Sequence, residues 1–392
     1  MKKLYFVMAL VLIASMILTA CGGTTPAETE APVVTEAPVA TEAPTAAPTE
    51  APVAELTQAD CVKEEVFCVG LVTDVGKVND KSFNQSAWEG VQKSQADGVA
   101  DLVQFIETAD AKDYAKNIAT FADAGFDVIV TVGFGLGEAT FAAGAAYPDI
   151  KFIGVDQFQA WQFTEDTADD SANVTGLGFP EDQAGFLVGA LGAMMSKSHK
   201  LGAVCGTDVV PPVWRFGEGY KAGAAYADAN YAGLSGVTTE VFVVYHSDVG
   251  FDKTFTDPEW GAQTAKSMMD QGADAIFGCG GLTGNGAITA AAQAGAYAIG
   301  VDADQYLTLP EAAPRMLSSA MKLITPGVAQ LAAMAKDGTI AAGNFAGLAG
   351  YAPYHDLDGE VPAEVKAAME AINAGLLDGS ITTGVAPTKP AE

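Results

Sequence analysis

Basic residues are scarce in this 392-residue chain, which carries 20 Lys and Arg against 49 Asp and Glu and has a formal net charge of −29. Because nucleic-acid binders neutralise phosphates with clustered Lys and Arg, this balance excludes a nucleic acid as partner. Disorder of the whole chain is also excluded, because 49% of its residues are hydrophobic. At roughly 100 to 200 residues per domain, the length indicates about two folded, acidic domains.

Long hydrophobic runs are absent from the sequence except at the N-terminus, where residues 4–18 follow Lys2 and Lys3. This run is too short for a comfortable bilayer span, and its charged start is typical of a signal peptide, which we predict for residues 1–20. The run ends in Leu-Thr-Ala-Cys, which resembles the bacterial lipobox, so we expect lipidation at Cys21. A plain signal peptide or an uncleaved anchor is the alternative.

Aromatic residues are missing from the segment that follows the lipobox. Residues 22–60 are rich in Pro, Ala, Thr and Glu, and the sequence Thr-Glu-Ala-Pro recurs there. Such a segment lacks the apolar surface that would offset the entropy of ordering it. We therefore predict that residues 21–60 are a lipidated cysteine followed by a disordered tether, which would hold a folded body clear of a membrane.

Sequence motifs for catalysis and metal binding are absent too. The three histidines, His199, His246 and His355, are isolated, and there is no HExxH, GxSxG or CxxC motif. Because an enzyme would need an activated nucleophile or a metal, we predict no catalysis, no metal and no cofactor. The glycine-rich segments 133–137 and 278–286 lack the lysine of a phosphate-binding loop, which argues against a nucleotide site.

Cysteine is the last scarce residue, with five in the chain, of which Cys21 is assigned to the lipid. Cys61 and Cys68 lie seven residues apart, and an external compartment permits disulfides, so we predict a bridge between them. Cys205 and Cys279 each end an apolar run. For that pair, two neighbouring buried thiols are favoured over a bridge.

What the chain does have is a repeated alternation, from residue 66, of short apolar runs with amphipathic segments. This pattern is typical of a parallel sheet with helices on both faces, and it occurs twice, which predicts an α/β fold of two similar units. Because ligands bind beyond the carboxyl ends of parallel strands, the loops after these runs should carry the site. The strand-like runs are 66–72, 100–106, 128–132, 151–155 and 174–179, then 200–205, 237–245, 275–279 and 298–301.

Three ordered motifs resemble the basic membrane protein family of solute-binding lipoproteins: GKVNDKSFNQ at 76–85, EDQAGF at 181–186 and GVDADQ at 300–305. The resemblance extends from about residue 65 to the end of the chain. The family includes purine nucleoside receptors of ABC importers. The resemblance therefore implies a type I periplasmic-binding-protein fold, with two Rossmann-like lobes joined by three crossovers.

Three crossovers require the chain to return to the first lobe. The strand-like run 316–321 follows a complete second unit, so we expect this run to rejoin the first sheet. The predicted lobes are 62–178 plus 314–340 for lobe one, and 179–313 plus 341–392 for lobe two.

The resemblance also implies a ligand site. It puts Phe83 and Phe216 on the two faces of a purine ring, where flat aromatic contact is favourable, with Trp214 as the alternative to Phe216. It puts Asp302 at the ribose hydroxyls, where an ionised carboxylate can accept two charge-assisted hydrogen bonds, and Lys322 beside it. We expect Asp302 and Lys322 to act as a unit on the sugar hydroxyls, with their pairing keeping the carboxylate ionised.

Further ligand contacts are implied for Asp74, Ser82 and Asn84 from the first lobe and for Asp156 at the edge of the base. Gly280 would let the backbone approach the ligand closely.

Other interpretations of three of these residues remain open. Phe83 could belong to the core, Asp302 could cap a helix, and Lys322 could be a solvated residue or a simple partner of Asp302.

The function that the resemblance implies is transport. A monomeric lipoprotein on the outer face of the cytoplasmic membrane would capture a purine nucleoside and deliver it to ABC permease and ATPase subunits. A receptor for a sugar or a furanose signal, and a lipoprotein that senses ligand without transport, would have the same cleft. An enzyme such as a nucleoside hydrolase is the hypothesis from another class, and the missing motifs argue against it.

Overall fold

The computed structural model describes residues 55–157, 172–236 and 238–389. The predicted signal peptide, the predicted lipidation site Cys21 and most of the predicted tether lie outside the described residues. At the end of the predicted tether, Gln58–Asp60 form one turn of 3₁₀ helix, and the Thr57 hydroxyl donates to Asp60 Oδ2 over 2.8 Å. The predicted tether therefore extends too far, because its last residues are folded. In the described part of the chain, no helix combines the length and apolar character that a membrane span requires.

Strands within the described residues form two sheets. They are β1 (Cys68–Val75), β2 (Leu102–Thr108), β3 (Val128–Val132), β4 (Lys151–Val155), β5 (Val174–Gly178), β6 (Lys200–Cys205), β7 (Glu240–Tyr245), β8 (Ala275–Cys279), β9 (Tyr297–Asp302), β10 (Met316–Lys322), β11 (Gly343–Ala346) and β12 (Ala349–Tyr351).

Helices cover the faces of these sheets. They are α1 (Phe83–Ala96), α2 (Tyr114–Ala122), α3 (Gly137–Ala146), α4 (Glu181–Met195), α5 (Pro211–Asn230), α6 (Ala232–Ser235), α7 (Pro258–Asp270), α8 (Gly281–Gln293), α9 (Gln305–Thr308), α10 (Ile324–Lys336) and α11 (Ala363–Asp378).

The two sheets have matching strand orders. The first sheet runs β11-β5-β4-β3-β1-β2 and the second runs β12-β10-β9-β8-β6-β7. Neighbours are parallel except β10 and β12. The chain passes between the sheets after β5, after β10 and after β11, so the prediction of an α/β fold with two lobes and three crossovers is confirmed. By position in these orders, β3 of the first sheet corresponds to β8 of the second, and β4 corresponds to β9.

The predicted position of the second crossover was wrong. The run predicted to rejoin the first sheet is β10, and it pairs with β9 and β12 in the second sheet. The strand that returns to the first sheet is β11, which pairs with β5. A four-residue strand that begins with glycine carries almost no periodic signal, whereas β10 is apolar and conspicuous. The crossing therefore follows Lys322, and α10 then packs on α1 in lobe one.

Close packing of α4 on α5 orients one wall of the space between the lobes. A Cβ atom at Gly189 would lie 2.1 Å from the Tyr220 carbonyl oxygen, and one at Gly223 would lie 1.9 Å from the Phe186 carbonyl oxygen. Only glycine permits this approach of the two backbones. The contact fixes α5, and with it Phe216 in its second turn, against the buried helix α4.

Two disulfides lie within the described residues. Cys61 is bonded to Cys68, with Cα atoms 5.7 Å apart. Cys205 is bonded to Cys279, so the expectation of two free thiols there was wrong. The reason is strand register, because β6 and β8 are neighbours and place these two residues directly opposite each other.

Candidate ligand-binding site

A cavity lies between the lobes at the carboxyl ends of the parallel strands, and the space within it, including the solvent at its open side, is about 780 Å³. Of the predicted ligand residues, all but Ser82 line it: Asp74, Phe83, Asn84, Asp156, Phe216, Gly280, Asp302 and Lys322. Ser82 lies directly behind the wall, and its hydroxyl donates to Asp302 Oδ2 over 2.8 Å.

Lys322 lies at the centre of the charged groups. Its Nζ is 2.5 Å from Asp156 Oδ2 and 3.5 Å from Glu181 Oε1, and its side chain is 2% exposed. Within the described residues its salt bridges go to these two acids, so the expected pairing with Asp302 was wrong, as was its assignment to lobe one. Burial lowers the pKa of the Lys322 ammonium, but Asp156, Glu181 and Asp302 outweigh burial and raise it above its ordinary value. The three carboxyl groups therefore favour the charged form of the buried Lys322 side chain.

Aromatic rings from both lobes face this ammonium. Lys322 Nζ is 5.2 Å from the ring centroid of Phe83 in lobe one and 5.3 Å from that of Phe216 in lobe two. A third ring, Phe179, is 5.6 Å away. Phe83 also packs against the core of lobe one, so it contributes to the core and to the cavity wall. Trp214 is buried and is not among the residues that line the cavity.

Four carboxyl groups line the cavity, of which those of Asp80, Asp156 and Asp302 are buried and that of Asp74 is half-buried. Burial raises the pKa of Asp74 to about 7 and that of Asp302 to about 6, with nearby acids contributing in both cases. Burial likewise raises the pKa of Asp80 and, against the pull of Lys322, that of Asp156. These acids form no cluster suited to a metal ion among the described residues. The cavity is thus strongly acidic, with groups that titrate close to neutral pH.

Among the residues that the structure describes, several buried oxygens beside the cavity have no hydrogen-bond donor. They include Asp156 Oδ1 and Asn84 Oδ1, whose residues both line the cavity. The other side of each group is occupied, since Asp156 Oδ2 bonds Lys322 and Asn84 Nδ2 donates to Asp74 Oδ1 over 2.8 Å. Buried acceptors without donors are unfavourable, so this wall is suited to a ligand that brings N–H or O–H groups.

Asp156 and Asp302 occupy equivalent turns. Each stands at the end of its strand, β4 or β9, with φ of +59° or +64°, in the left-handed region that non-glycine residues rarely adopt. A glutamine folds back beside each turn: Gln157 Nε2 donates to the Gly133 carbonyl over 3.1 Å, and Gln305 Oε1 accepts from the Val301 amide over 2.9 Å. These contacts offset backbone strain and place both carboxylates at the cavity.

Packing within the protein requires glycine at position 280, in addition to the predicted approach of a ligand. A Cβ atom there would lie 2.4 Å from the Gly206 nitrogen, so neighbouring backbone alone requires glycine. Close approach by a ligand stays a prediction for this residue.

Sequence reasoning missed four residues of this region. Glu181, the first residue of α4, is fully buried and was present in a recognised motif without being chosen. Asp80 accepts from the backbone amides of residues 82, 84 and 85 and so fixes the start of α1. Phe251 and Phe255 line the cavity from the loop after β7. Two of these residues could have been predicted, because Glu181 follows Pro180 at the start of a helix and Asp80 precedes α1. Nothing in the local sequence indicates that the loop after β7 reaches the cavity.

Comparison with known proteins agrees with this architecture. Residues 67–348 match the family model of ABC transporter substrate-binding proteins that are PnrA-like. The chain belongs to this family. Its members bind a substrate for ABC transport and are not enzymes, as the missing catalytic motifs predict.

Curated relatives align over most of the chain. The CD4+ T-cell-stimulating antigen of Listeria monocytogenes is 30% identical over 83% of this chain and 89% of its own length. The ABC transporter nucleoside-binding protein BmpA of Lactococcus lactis subsp. cremoris is 29% identical over 80% of this chain and 87% of its own. Basic membrane protein A of Borreliella burgdorferi is 30% identical over 63% of this chain and 66% of its own.

Solved structures support the fold. A solute-binding protein of an ABC transporter system from Aeropyrum pernix K1 has a TM-score of 0.68 at 23% identity, covering 81% of this chain and 92% of its own. One from Conexibacter woesei has a TM-score of 0.61 at 22% identity, covering 81% and 98%. The PnrA-like substrate-binding chain described here thus has the two-lobed fold of such proteins.

Proposed function

We propose that this protein captures a purine nucleoside between its lobes and delivers it to the permease of an ABC importer. The observation that carries the proposal is the convergence of Phe83 and Phe216, from opposite lobes, on one acidic cavity. Two aromatic faces suit a flat base, and stacking on aromatic residues is worth roughly 1–3 kcal/mol per base. The Lactococcus relative is a nucleoside-binding protein, which supports the same ligand class.

The polar wall suits the rest of a nucleoside. One carboxylate oxygen of Asp302 accepts a hydrogen bond from Ser82. The carboxylate can accept further hydrogen bonds, which matches the two hydroxyls of a ribose. Asp156 Oδ1 and Asn84 Oδ1 are acceptors for N–H groups at the edge of a base. Asp74, whose pKa is near neutral, can accept a hydrogen bond when ionised or donate one when protonated. These polar groups would fix the orientation of the nucleoside, while the two aromatic rings would supply affinity that depends little on which base is bound.

Isothermal titration of the full chain with adenosine, guanosine, inosine, uridine, ribose and free bases tests this proposal. We expect purine nucleosides to bind more tightly than ribose or free bases. Phe83→Ala should weaken binding about 5- to 150-fold, the equivalent of roughly 1–3 kcal/mol. Phe105→Ala is the control, since Phe105 lies on β2 with its side chain partly exposed and away from the cavity. Equal affinity for ribose and nucleosides would favour a sugar receptor instead.

Delivery to a permease requires the protein to work outside the cytoplasmic membrane, and we propose that the lipid on Cys21 anchors it there. The basis is the lipobox-like sequence directly after the apolar run. We expect Cys21→Ala to move the protein from the membrane fraction to the soluble fraction after cell lysis. Intact-mass analysis of the parent protein without an acyl increment would contradict the anchor.

A further inference from the structure

Beside the cavity, lobe two holds a loop of lobe one by its backbone. This loop, residues 80–82, directly precedes α1. Asn285 Nδ2 donates to the Asp80 carbonyl over 2.8 Å, and Lys81's carbonyl accepts from Gln305 Nε2 over 3.1 Å and from Thr308 Oγ1 over 2.7 Å. These bonds join residues more than 200 positions apart, across the two lobes.

The donors in lobe two form a complete network of their own. Gln305 Nε2 also donates to Asn285 Oδ1 over 2.8 Å, and Gln305 Oε1 accepts from the Val301 amide. Both polar atoms of the Gln305 side chain are therefore used, and the side chain is fully buried. A satisfied buried network of this kind holds one geometry rigidly. On the other side, Lys81 has a φ of +66°, an unfavourable conformation for lysine that turns its carbonyl into a double acceptor.

None of these three donors lines the cavity. Their bonds go to backbone carbonyls of the protein, so they form without any ligand. The loop they hold leads straight into Phe83 and Asn84, which do line the cavity. A contact that stabilises the closed arrangement of lobes by itself increases the population competent to retain a ligand.

We propose that Asn285, Gln305 and Thr308 form a latch on residues 80–82 that keeps the lobes closed with or without a ligand, and that this latch sets the rate of ligand release. The first part is independent of what the ligand is. The second part rests on the proposed function.

The test compares the double variant Asn285→Ala/Thr308→Val with a matched control, Asn230→Ala/Thr120→Val, whose side chains are exposed and bond only to their own helices. The loss of one hydrogen bond changes an equilibrium about 2- to 12-fold, so two bonds should raise the open-to-closed ratio about 5- to 150-fold. Small-angle X-ray scattering of the unliganded full chain should show a larger radius of gyration for the double variant than for the parent and the control.

Stopped-flow dissociation of inosine provides the second measurement. The double variant should release inosine about 5- to 150-fold faster than the parent, with an association rate that changes far less. A merely structural role would not separate the two rates in this way. Should the double variant not fold, Thr308→Val alone removes one bond from Lys81, and the expected change is about 2- to 12-fold.

The outcomes distinguish the two proposals. Scattering of the double variant that matches the parent overturns the latch. A larger radius with an unchanged inosine release rate overturns its role in release. A larger radius together with no inosine binding by the parent supports the latch and counts against the nucleoside as ligand.

Discussion

The two lobes contain the same aspartate turn at equivalent positions, but the aspartate carboxylate has a different partner in each lobe. Asp156 in lobe one and Asp302 in lobe two end equivalent strands, and both adopt the left-handed conformation. Counting along the registers of β4 with β5 and of β9 with β10 makes Lys322 the counterpart of Phe179. At this position lobe one thus has the buried ring of Phe179, and lobe two has the buried ammonium group of Lys322.

This difference makes lobe one depend on lobe two. The Asp156 carboxylate has its cation on the opposite lobe, at 2.5 Å, while Asp302 bonds a neutral hydroxyl of lobe one. Similar backbones therefore do not imply similar energetics. A pair of buried charges is held by mutual attraction, and removing one member leaves the other uncompensated.

The largest expected effect comes from removing the cation. Lys322→Met leaves Asp156 and Glu181 buried without it, which should lower the free energy of unfolding by about 3–5 kcal/mol at neutral pH. Urea unfolding measures this, with Lys200→Met as control, because the exposed Lys200–Glu240 pair should contribute about 1 kcal/mol or less. A Lys322→Met protein within about 1 kcal/mol of the parent would remove the asymmetry between the lobes.

The two aspartates provide the next comparison. Under the proposed function, Asp156→Asn and Asp302→Asn should each weaken nucleoside binding by about 1.5–3 kcal/mol, the range for hydrogen bonds to charged groups. Only Asp156→Asn also breaks the pair with Lys322, so it should destabilise folding more than Asp302→Asn does.

Titration calorimetry with adenosine and guanosine, combined with urea unfolding of each variant, measures both effects. Only Asp156→Asn should change the adenosine to guanosine ratio. An Asp302→Asn protein that binds nucleosides like the parent would exclude Asp302 from the site.

The last comparison is a pH dependence that the two lobes share at different pH values. Burial raises the pKa of Asp74 in lobe one from 3.8 to about 7, and that of Asp302 in lobe two from 3.8 to about 6. Between pH 3.8 and the raised pKa of each group, the folded protein binds more protons at that group than the unfolded chain does. Their contribution to the free energy of unfolding therefore falls as pH rises through this window.

Urea unfolding at pH values from about 4 to 8 tests the sign. Asp74→Asn should flatten the dependence up to pH 7, and Asp302→Asn should flatten it only up to about pH 6. Asn230→Ala is the control and should leave the slope unchanged, because the exposed Asn230 side chain carries no titratable group. If Asp74→Asn has the slope of the parent, the Asp74 carboxyl does not titrate in this range.

Local pattern was sufficient for most strands. The runs predicted at 128–132, 151–155 and 275–279 coincide with β3, β4 and β8. Parallel strands buried on both faces appear as continuous apolar segments, which are visible without knowledge of their neighbours. The predicted run 237–245 begins only at Glu240 in β7, because strand ends depend on the length of the partner strand.

Sheet membership was different. Nothing in the residues of β10 distinguishes a strand of the first sheet from one of the second, and the prediction assigned it to the wrong lobe. Pairing is a long-range property that depends on which backbone lies alongside. The short strand β11, which does return to lobe one, has too few residues to show a period.

The sequence by itself indicated where the site lies, because parallel strands deliver their carboxyl ends to one edge and the loops that follow must lie there. The choice of Phe83, Asp302 and Lys322 within those loops came from the resemblance of the sequence motifs to a known family, and all three line the cavity. The tertiary structure determined their partners. Lys322 pairs with Asp156, 166 positions away in the chain, instead of the expected Asp302. A buried charge takes the opposite charge that folding brings within reach, and that choice is made by three-dimensional distance rather than by anything encoded in neighbouring residues.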